Sequence, residues 1–161
     1  MRTNGTNGDD AISATGNVDG LGGNDFILAH STTSTEDNPQ IINTGSGNNS
    51  VVAQADYTYI TGGTGNDSYT MIGANSTIVD AGGNNNVVRT SSDGGTYNIT
   101  FNGDGNNTVT DNTFNWAIYN INCSAVILIY DFGNHIKIDY WITQSTRNTL
   151  RIFFKHNFVP Y

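Results

Sequence analysis

Cysteine is nearly absent from this chain of 161 residues, which contains only Cys123. A single cysteine cannot form an intrachain disulfide, so no covalent cross-link holds the fold together. Apolar residues lie close to it on both sides: Ile121 is two positions before it, and Ala125, Val126 and Ile127 begin two positions after it. A free cysteine in an apolar environment behaves as a small hydrophobic side chain. We therefore predict a buried structural thiol at this position rather than a reactive one.

Basic residues are also scarce. The chain has six Lys and Arg against 14 Asp and Glu, which gives a net charge of −8. Because nucleic-acid binding requires clustered Lys and Arg at the phosphates, this balance argues against nucleic acid as a partner and favours a divalent cation. Twelve of the acids lie at or before Asp111, and four of the basic residues follow Ile136. An acidic region therefore precedes a more basic tail.

Long apolar runs and catalytic patterns are missing too. The longest apolar run, from Ala125 to Tyr130, is far too short to span a bilayer, and the N-terminal residues do not have the pattern of a signal peptide. We therefore expect no transmembrane segment and no cleaved N-terminal signal. No pair among His30, His135 and His156 has the spacing of a metal or catalytic motif, so we interpret them as solvated loop residues. No nucleophile, base and acid stand out as a set, and the sequence predicts a protein without enzymatic activity.

Glycine is abundant, with 19 residues, and it marks a corner motif that recurs six times. The clearest copy is Gly62-Gly63-Thr64-Gly65-Asn66-Asp67-Ser68-Tyr69. Its glycine column is Gly8, Gly23, Gly47, Gly65, Gly83 and Gly105. The first polar column is Asp9, Asn24, Asn48, Asn66, Asn84 and Asn106, and the second is Asp10, Asp25, Asn49, Asp67, Asn85 and Asn107. An apolar column follows two positions later, with Ile12, Ile27, Val51, Tyr69, Val87 and Val109. Units this small bury little alone and become stable by stacking on their own copies.

The spacing of the corners predicts the fold class. Gly47, Gly65 and Gly83 are 18 residues apart by subtraction, about what a solenoid coil with two short strands and two corners requires. The apolar residues halfway round are Ile42, Ile60 and Ile78. We therefore predict an all-β chain that forms a parallel β-roll or β-solenoid over residues 1–112. Longer spacings place extra loops at 30–39 and 91–95, and the shorter first spacing predicts an incomplete first coil.

Residues 113–161 lack the glycine corners and are predicted to form a β-rich cap. Apolar residues alternate with polar ones at 116–121 and 136–140, and a continuous apolar run covers 125–130. A hairpin turn is predicted at 131–135 and a last strand at 150–154. A solenoid needs such a cap because its terminal coil otherwise exposes strand edges and open core.

The corner at 62–69 resembles the haemolysin-type calcium-binding repeat, the RTX nonapeptide GGxGxDxUx, in which U is a large apolar residue. The copies at 5–12 and 20–27 are recognisable variants, and 126–154 resembles the β-rich region that follows such repeats in secreted members. The resemblance implies a parallel β-roll with Ca2+ between stacked corners, held by the repeat aspartate and by glycine-loop carbonyls. It also implies an extracellular or cell-surface protein, exported without a cleaved N-terminal signal. The residues that it assigns to calcium are Gly63, Gly65, Asp67, Asp10, Asp25, Asn49, Asn85 and Asn107.

Other interpretations remain open beside a calcium-binding module for folding, secretion or adhesion. Asparagine replaces the family's aspartate in three copies, which substitutes a neutral oxygen for a charge. A ladder of hydrogen-bonded asparagines is another source of cohesion, formed by Asn24, Asn48, Asn66, Asn84 and Asn106. Such coils would stack end to end into a structural fibre, a self-assembly of identical chains. Alternatively, the chain is an appended module of a secreted enzyme, or ranks of threonine present a face for ice or polysaccharide, such as Thr44, Thr64, Thr70, Thr77, Thr108 and Thr110.

Overall fold

The computed structural model describes residues 1–91, 93–113, 117–130 and 140–153, with side chains as far as Cys123. These residues form fourteen β-strands and no helix. The strands are β1 (Arg2–Asn4), β2 (Ala11–Ala14), β3 (Asn17–Asp19), β4 (Phe26–Ala29), β5 (Gln40–Gly45), β6 (Ser50–Ala53), β7 (Thr58–Gly62), β8 (Ser68–Met71), β9 (Thr77–Asp80), β10 (Asn86–Arg89), β11 (Gly95–Phe101), β12 (Asn107–Asp111), β13 (Ala117–Tyr130) and β14 (Tyr140–Phe153).

The first twelve strands form two parallel stacks that share one coiled chain path. The odd-numbered strands β1 to β11 pair in order in one stack, and the even-numbered strands β2 to β12 pair in order in the other. Each pairing within a stack is parallel. Neighbouring strands of one stack are separated in the chain by one strand of the other, which is the topology of a β-solenoid. The predicted fold class is confirmed.

The core is a thin interior between the two stacks. Side chains alternate between the interior and the surface along each strand, because the strand repeat is two residues. The central buried column of the even stack is Ile12, Ile27, Val51, Tyr69, Val87 and Val109, and that of the odd stack is Val18, Ile42, Ile60, Ile78, Ile99 and Ile121. Most of these residues are β-branched, which suits strands packed on one another. Cys123 is buried as predicted, and its burial raises the pKa of the thiol.

The register follows the spacing of the repeats. Val51 pairs with Tyr69 and Tyr69 with Val87, two steps of 18 residues by subtraction. The excess of the longer coils lies outside the strands. The predicted loop at 30–39 connects β4 to β5, and the later excess falls between β10 and β11. Insertions therefore leave the stacked strands in register.

The C-terminal end is closed by β13, a single strand that crosses both stacks. Its first half pairs in parallel with β11 and its second half with β12, while β14 runs antiparallel to it with a bulge between Cys123 and Ala125. The alternating segment from residue 117 and the apolar run at 125–130 lie in this one strand, because the chain passes between the stacks here without a glycine corner. The predicted last strand at 150–154 overlaps the end of β14. The predicted turn at 131–135 and residues 136–139 lie outside the described residues, and the boundary after residue 112 stays a prediction.

A buried ion pair joins the last coils to β13. Arg89 Nη1 donates to Asp111 Oδ2 at 2.9 Å and to the Thr113 hydroxyl, and the guanidinium lies 5.2 Å from the ring centre of Tyr97. Tyr119 of β13 donates to Asp111 at 2.9 Å. Burial acts to lower the pKa of Arg89, but the Tyr97 hydroxyl and the Asp111 charge outweigh it, so the pKa is raised. Earlier coils have Ala14, Ala29, Ala53 and Met71 in this column. A charged cluster thus replaces apolar packing where the repeat ends.

Candidate functional site

The six glycine corners stack along one edge of the solenoid, between each odd strand and the next even strand. Their backbones approach closely: a Cβ on Gly65 would overlap the carbonyl of Gly47, and one on Gly83 would overlap the carbonyl of Gly65. Gly83 also has φ +107°, which favours glycine. Backbone bonds cross between coils, such as Gly47 N–H to Thr64 O at 3.2 Å. The glycine column is therefore a packing requirement of the stack.

The first polar column forms an exposed ladder on the outside of the corners. Each side-chain oxygen accepts the backbone N–H of the matching residue in the next coil: Asn48 Oδ1 accepts from Asn66 at 2.7 Å, and Asn66 Oδ1 from Asn84 at 2.8 Å. The same bond joins the pairs Asp9–Asn24, Asn24–Asn48 and Asn84–Asn106. The structure thus brings these asparagines together, and the repeated bond joins a side chain to a backbone rather than two side chains.

The second polar column forms a buried ladder of opposite direction. Here each side-chain oxygen accepts the backbone N–H of the preceding coil: Asp67 Oδ1 accepts from Asn49 at 2.7 Å, and Asn85 Oδ1 from Asp67 at 2.8 Å. The same bond joins the pairs Asp10–Asp25, Asp25–Asn49 and Asn85–Asn107. This is the column that the RTX resemblance assigns to calcium. From Asp25 onward, one oxygen of each side chain is already bonded to the backbone of the neighbouring coil.

Asparagine and aspartate differ in how they use their second side-chain atom in this buried ladder. Each asparagine donates its Nδ2–H to the carbonyl of its own corner glycine, two residues earlier. These pairs are Asn49–Gly47 at 3.1 Å, Asn85–Gly83 at 3.5 Å and Asn107–Gly105 at 3.3 Å. An ionised aspartate has no donor, so its second oxygen requires a donor, a proton or a cation. Asp10, at the partly exposed first corner, accepts from the Thr6 backbone and hydroxyl.

Asp67 belongs to a pair of buried acids bridged by Tyr69. The Tyr69 hydroxyl donates to Asp80 Oδ2 at 2.5 Å and lies 3.3 Å from Asp67 Oδ2. Burial raises the pKa of Asp67 to about 6. The charge of Asp80 adds to this rise, and the hydrogen bond from the Asn49 N–H opposes it. Burial also raises the pKa of Asp80 and, together with the Asp67 charge, that of Tyr69. The Tyr69 hydroxyl has one proton and donates it to Asp80. A protonated Asp67 can therefore donate to the Tyr69 oxygen, which completes a chain of hydrogen bonds from Asp67 through Tyr69 to Asp80.

Asp80 is the member of the pair that carries the charge, since its Oδ1 accepts from the Gly82 N–H at 2.9 Å and from Asn85 Nδ2 at 2.7 Å. Sequence reasoning missed it because it ends β9, outside the corner motif. A sequence signal does exist: the residue type near the end of each odd strand, five residues before the buried-ladder position, varies with the ladder residue. Where the ladder residue is aspartate, a glycine lies five residues earlier, in the pairs Gly5–Asp10, Gly20–Asp25 and Gly62–Asp67. Where it is asparagine, a larger residue lies there, in the pairs Thr44–Asn49 and Asp80–Asn85. The glycine makes room, since a Cβ on Gly62 would overlap Tyr69 and Asp80.

Asp25 has a buried oxygen that no described residue satisfies. Its side chain is 2% exposed, and its Oδ2 lacks a hydrogen-bond partner, as does the buried Thr44 Oγ1 in the next coil. Gly20 lies opposite, where a Cβ would overlap both Asp25 Oδ2 and the Thr44 carbonyl. Burial raises the pKa of Asp25, and the charges of Asp10 and Asp9 add to that effect. Asp25 Oδ2 and Thr44 Oγ1 are oxygen atoms of the kind that a hard cation takes as ligands.

The other residues assigned to calcium have different surroundings. Both oxygens of Asp67 are bonded within the protein, and Gly63 and Gly65 stack closely on the corner of the preceding coil. No group of three or more His, Cys, Asp or Glu is arranged to hold a metal among the residues that the structure describes. The donors at Asp67 therefore do not fit calcium in the way the repeat implies, and Asp25 is the described corner acid that has an unpartnered buried oxygen.

The fold also forms a serine–histidine pair that the sequence did not indicate. Ser13 lies on the outer face of β2 and His30 follows β4, with 3.0 Å between Oγ and Nε2. No carboxylate of a described residue hydrogen-bonds this imidazole, and the pair lies on an exposed face. Without an orienting acid it lacks the arrangement that activates a nucleophile. His135 and His156 lie outside the described residues.

Comparison with protein-family models, with curated proteins and with solved structures finds no match to this chain. Over the described part of the chain, no helix is long and apolar enough to cross a membrane. The class is therefore set by architecture alone: a parallel β-solenoid whose glycine corners are held by two amide and carboxylate ladders of opposite direction.

Proposed function

We propose that this chain is a non-enzymatic, extracellular β-solenoid module that binds one calcium ion at the Asp25 corner and relies on its ladders elsewhere. The observation that carries the proposal is the unpartnered, buried Oδ2 of Asp25. A buried carboxylate oxygen without a partner is costly, and a cation offsets that cost. Such a module serves folding, secretion or adhesion outside the cell, where calcium is plentiful.

Few protein ligands converge at this corner. Asp25 supplies one charged oxygen and Thr44 one neutral hydroxyl, which is fewer than the roughly six to eight oxygens that calcium takes. A single charged ligand gives a weak site. We expect a dissociation constant on the order of 10⁻⁴–10⁻³ M, the range of extracellular calcium modules. The module is thus loaded outside the cell and empty inside it.

Thermal unfolding in calcium and in chelator tests this proposal. At about ten times the dissociation constant, calcium adds about 1.4 kcal/mol to the free energy of unfolding. We expect Asp25→Asn to abolish this gain, because asparagine removes the charge while keeping the ladder oxygen. Asp67→Asn is the matched control and should keep the gain. If the unaltered protein unfolds at the same temperature in calcium and in chelator, the calcium proposal is wrong. If the stabilisation by calcium persists in Asp25→Asn, the ion binds elsewhere.

The structure favours the alternatives unequally. The threonine face is interrupted, because Thr44 is buried and Thr70 and Thr110 are separated in their column by Val88. A fibre would require the outer edges of β1 and β2 to pair between molecules. The appended module of a secreted enzyme stays a prediction.

A further inference from the structure

A cleft of about 400 Å³ lies on the outer face of the odd stack, at the edge away from the glycine corners. Its floor consists of Tyr59, Thr77 and Asn98, which are aligned across β7, β9 and β11. Its wall is the loop at 30–39, through Glu36 and Pro39. This loop is an insertion that the coil does not need for its own closure. It is nevertheless held in place, since the Ser34 hydroxyl donates to the Asp56 carbonyl.

Two tyrosines supply apolar surface to the cleft. Tyr59 is 40% exposed on β7, beside Ile41, which is also exposed. Tyr57 has φ +53°, a left-handed conformation that a bulky residue rarely adopts. Asn75 has nearly the same conformation in the next coil, where asparagine tolerates it. Strain of this kind is typical of ligand sites, and Tyr57 lines the cleft.

The cleft also has polar groups that the protein does not use. Of the residues that line the cleft, Tyr57, Tyr59, Thr77 and Thr96 have hydroxyls without a partner among the described residues. The side-chain oxygens of Asn75 and Asn98 accept from the Thr96 N–H at 3.0 Å and from Asn120 at 2.7 Å, which leaves both Nδ2 groups available. Glu36 is exposed at the rim and offers a carboxylate. Donors and acceptors thus surround the two aromatic rings.

This combination matches the chemistry of a sugar, which has an apolar C–H face and a rim of hydroxyls. The volume lies in the range of ligand sites, about 300–1,000 Å³. No basic residue lines the cleft, and the net charge of −8 disfavours anionic ligands. We infer that the cleft binds a neutral saccharide, with Tyr59 against a sugar ring and with Asn75, Asn98 and Glu36 bonded to its hydroxyls. It shares no residue with the Asp25 corner, so binding is independent of calcium.

Isothermal titration with cellohexaose, chitohexaose and mannohexaose as neutral probes, and hexagalacturonate as the anionic probe, tests this inference. We expect at least one neutral probe to bind and the anionic probe not to bind. Tyr59→Ala should weaken binding by about tenfold or more, and Tyr59→Phe, which keeps the ring, by much less. Phe26→Ala is the matched control, because Phe26 is an outward aromatic residue of the other stack, 48% exposed. The saccharide affinity of Phe26→Ala should equal that of the unaltered protein. The affinity of the unaltered protein should also be the same with and without chelator.

Three results would each overturn the inference. One is the absence of binding by every neutral probe at millimolar concentration. Another is binding of the anionic probe alone, which contradicts the charge argument. The third is equal loss of affinity in Tyr59→Ala and Phe26→Ala, which would place the saccharide elsewhere. If calcium alone has no effect while Tyr59→Ala abolishes binding, the calcium proposal fails and this one stands.

Discussion

At the scale of single residues, aspartate and asparagine at the buried corner position differ by one hydrogen-bond donor. Asn85 accepts from the backbone of one coil and donates to Asp80 and to its own corner carbonyl. Asp67 accepts in the same way, but its second oxygen faces a tyrosine that already donates to Asp80. The asparagine is satisfied at every pH, whereas Asp67 is best satisfied when protonated. The column therefore mixes asparagine steps that do not depend on pH with aspartate steps, such as Asp67, whose pKa is raised by burial.

The raised pKa of Asp67 predicts a pH dependence of stability. Its pKa is about 6 in the fold, against 3.8 for an unperturbed aspartate, so the folded state binds the proton more tightly. The stabilisation is fully present below pH 4 and is lost as pH rises through 6. A tenfold change in proton affinity corresponds to about 1.4 kcal/mol, and solvent screening reduces the effect, so we expect roughly 1–2 kcal/mol. Urea unfolding between pH 4 and 7.5 measures it.

The variant Asp67→Asn should reduce the slope of this pH profile, to which Asp25 and Asp80 also contribute, and stabilise the protein at neutral pH by about 1 kcal/mol. Its oxygen keeps the bond to the Asn49 backbone, as Asn85 and Asn107 do for the residues before them. Asp56→Asn supplies the control for the change in net charge, because it removes one charge at an exposed residue. An unaltered slope in Asp67→Asn would show that another group is responsible.

At the scale of elements, the two ladders make each corner bind both neighbouring coils. The exposed ladder points toward the next coil and the buried ladder toward the preceding one, so Asn66 and Asp67 together bond in both directions. The exposed bonds compete with water, and the buried ones do not. A buried N–H left without a partner costs about 1–3 kcal/mol, whereas a solvated one costs little. The buried ladder should therefore contribute more to the stability of the stack.

Neighbouring asparagines of one corner allow a matched comparison. Asn85→Ala leaves the buried Asp67 N–H without an acceptor and removes a donor from Asp80. We expect a loss of about 2–3 kcal/mol. Asn84→Ala removes the acceptor of the exposed Asn106 N–H, which water replaces, so its loss should stay below about 1 kcal/mol. Urea unfolding of both variants at pH 7 measures the difference, and equal losses would contradict the distinction between the ladders.

The stacking of the coils was predictable because repeats of equal length place equal residues above one another. The direction of the ladders was not, since Asn66 and Asp67 both fit either an inward or an outward position. The Asp80 partner was hidden because it lies 13 residues from Asp67 by subtraction and meets it only through the turn of the coil. Arg89 was likewise hidden, because no periodicity predicts a buried ion pair at the end of a repeat. The spacing of five residues between Gly62 and Asp67 was the one available signal, and it becomes meaningful only once the interior is known.

At the scale of the whole molecule, the two ends of the solenoid differ. The C-terminal end is covered by β13, which crosses both stacks, and by β14 along its other edge. At the other end, the sheet path of the described strands terminates at β1 and β2, which present unpaired backbone groups. Open strand edges promote association unless charge or shape opposes it. The first corner is the one with an acid at both polar positions, Asp9 and Asp10.

This arrangement predicts that Asp9 and Asp10 oppose association through the open edge. Two such ends in contact would bring four carboxylates together, and like charges across a strand pair are destabilising. We expect Asp9→Asn/Asp10→Asn to self-associate with increasing concentration in sedimentation velocity, while the unaltered protein sediments as one species. The control Asp93→Asn/Asp104→Asn changes the net charge equally at two exposed residues far from this edge. If both double variants associated alike, total charge would govern solubility and the first corner would have no special role. Association of the first variant alone would identify the β1 and β2 edge as the surface through which coils of separate molecules meet.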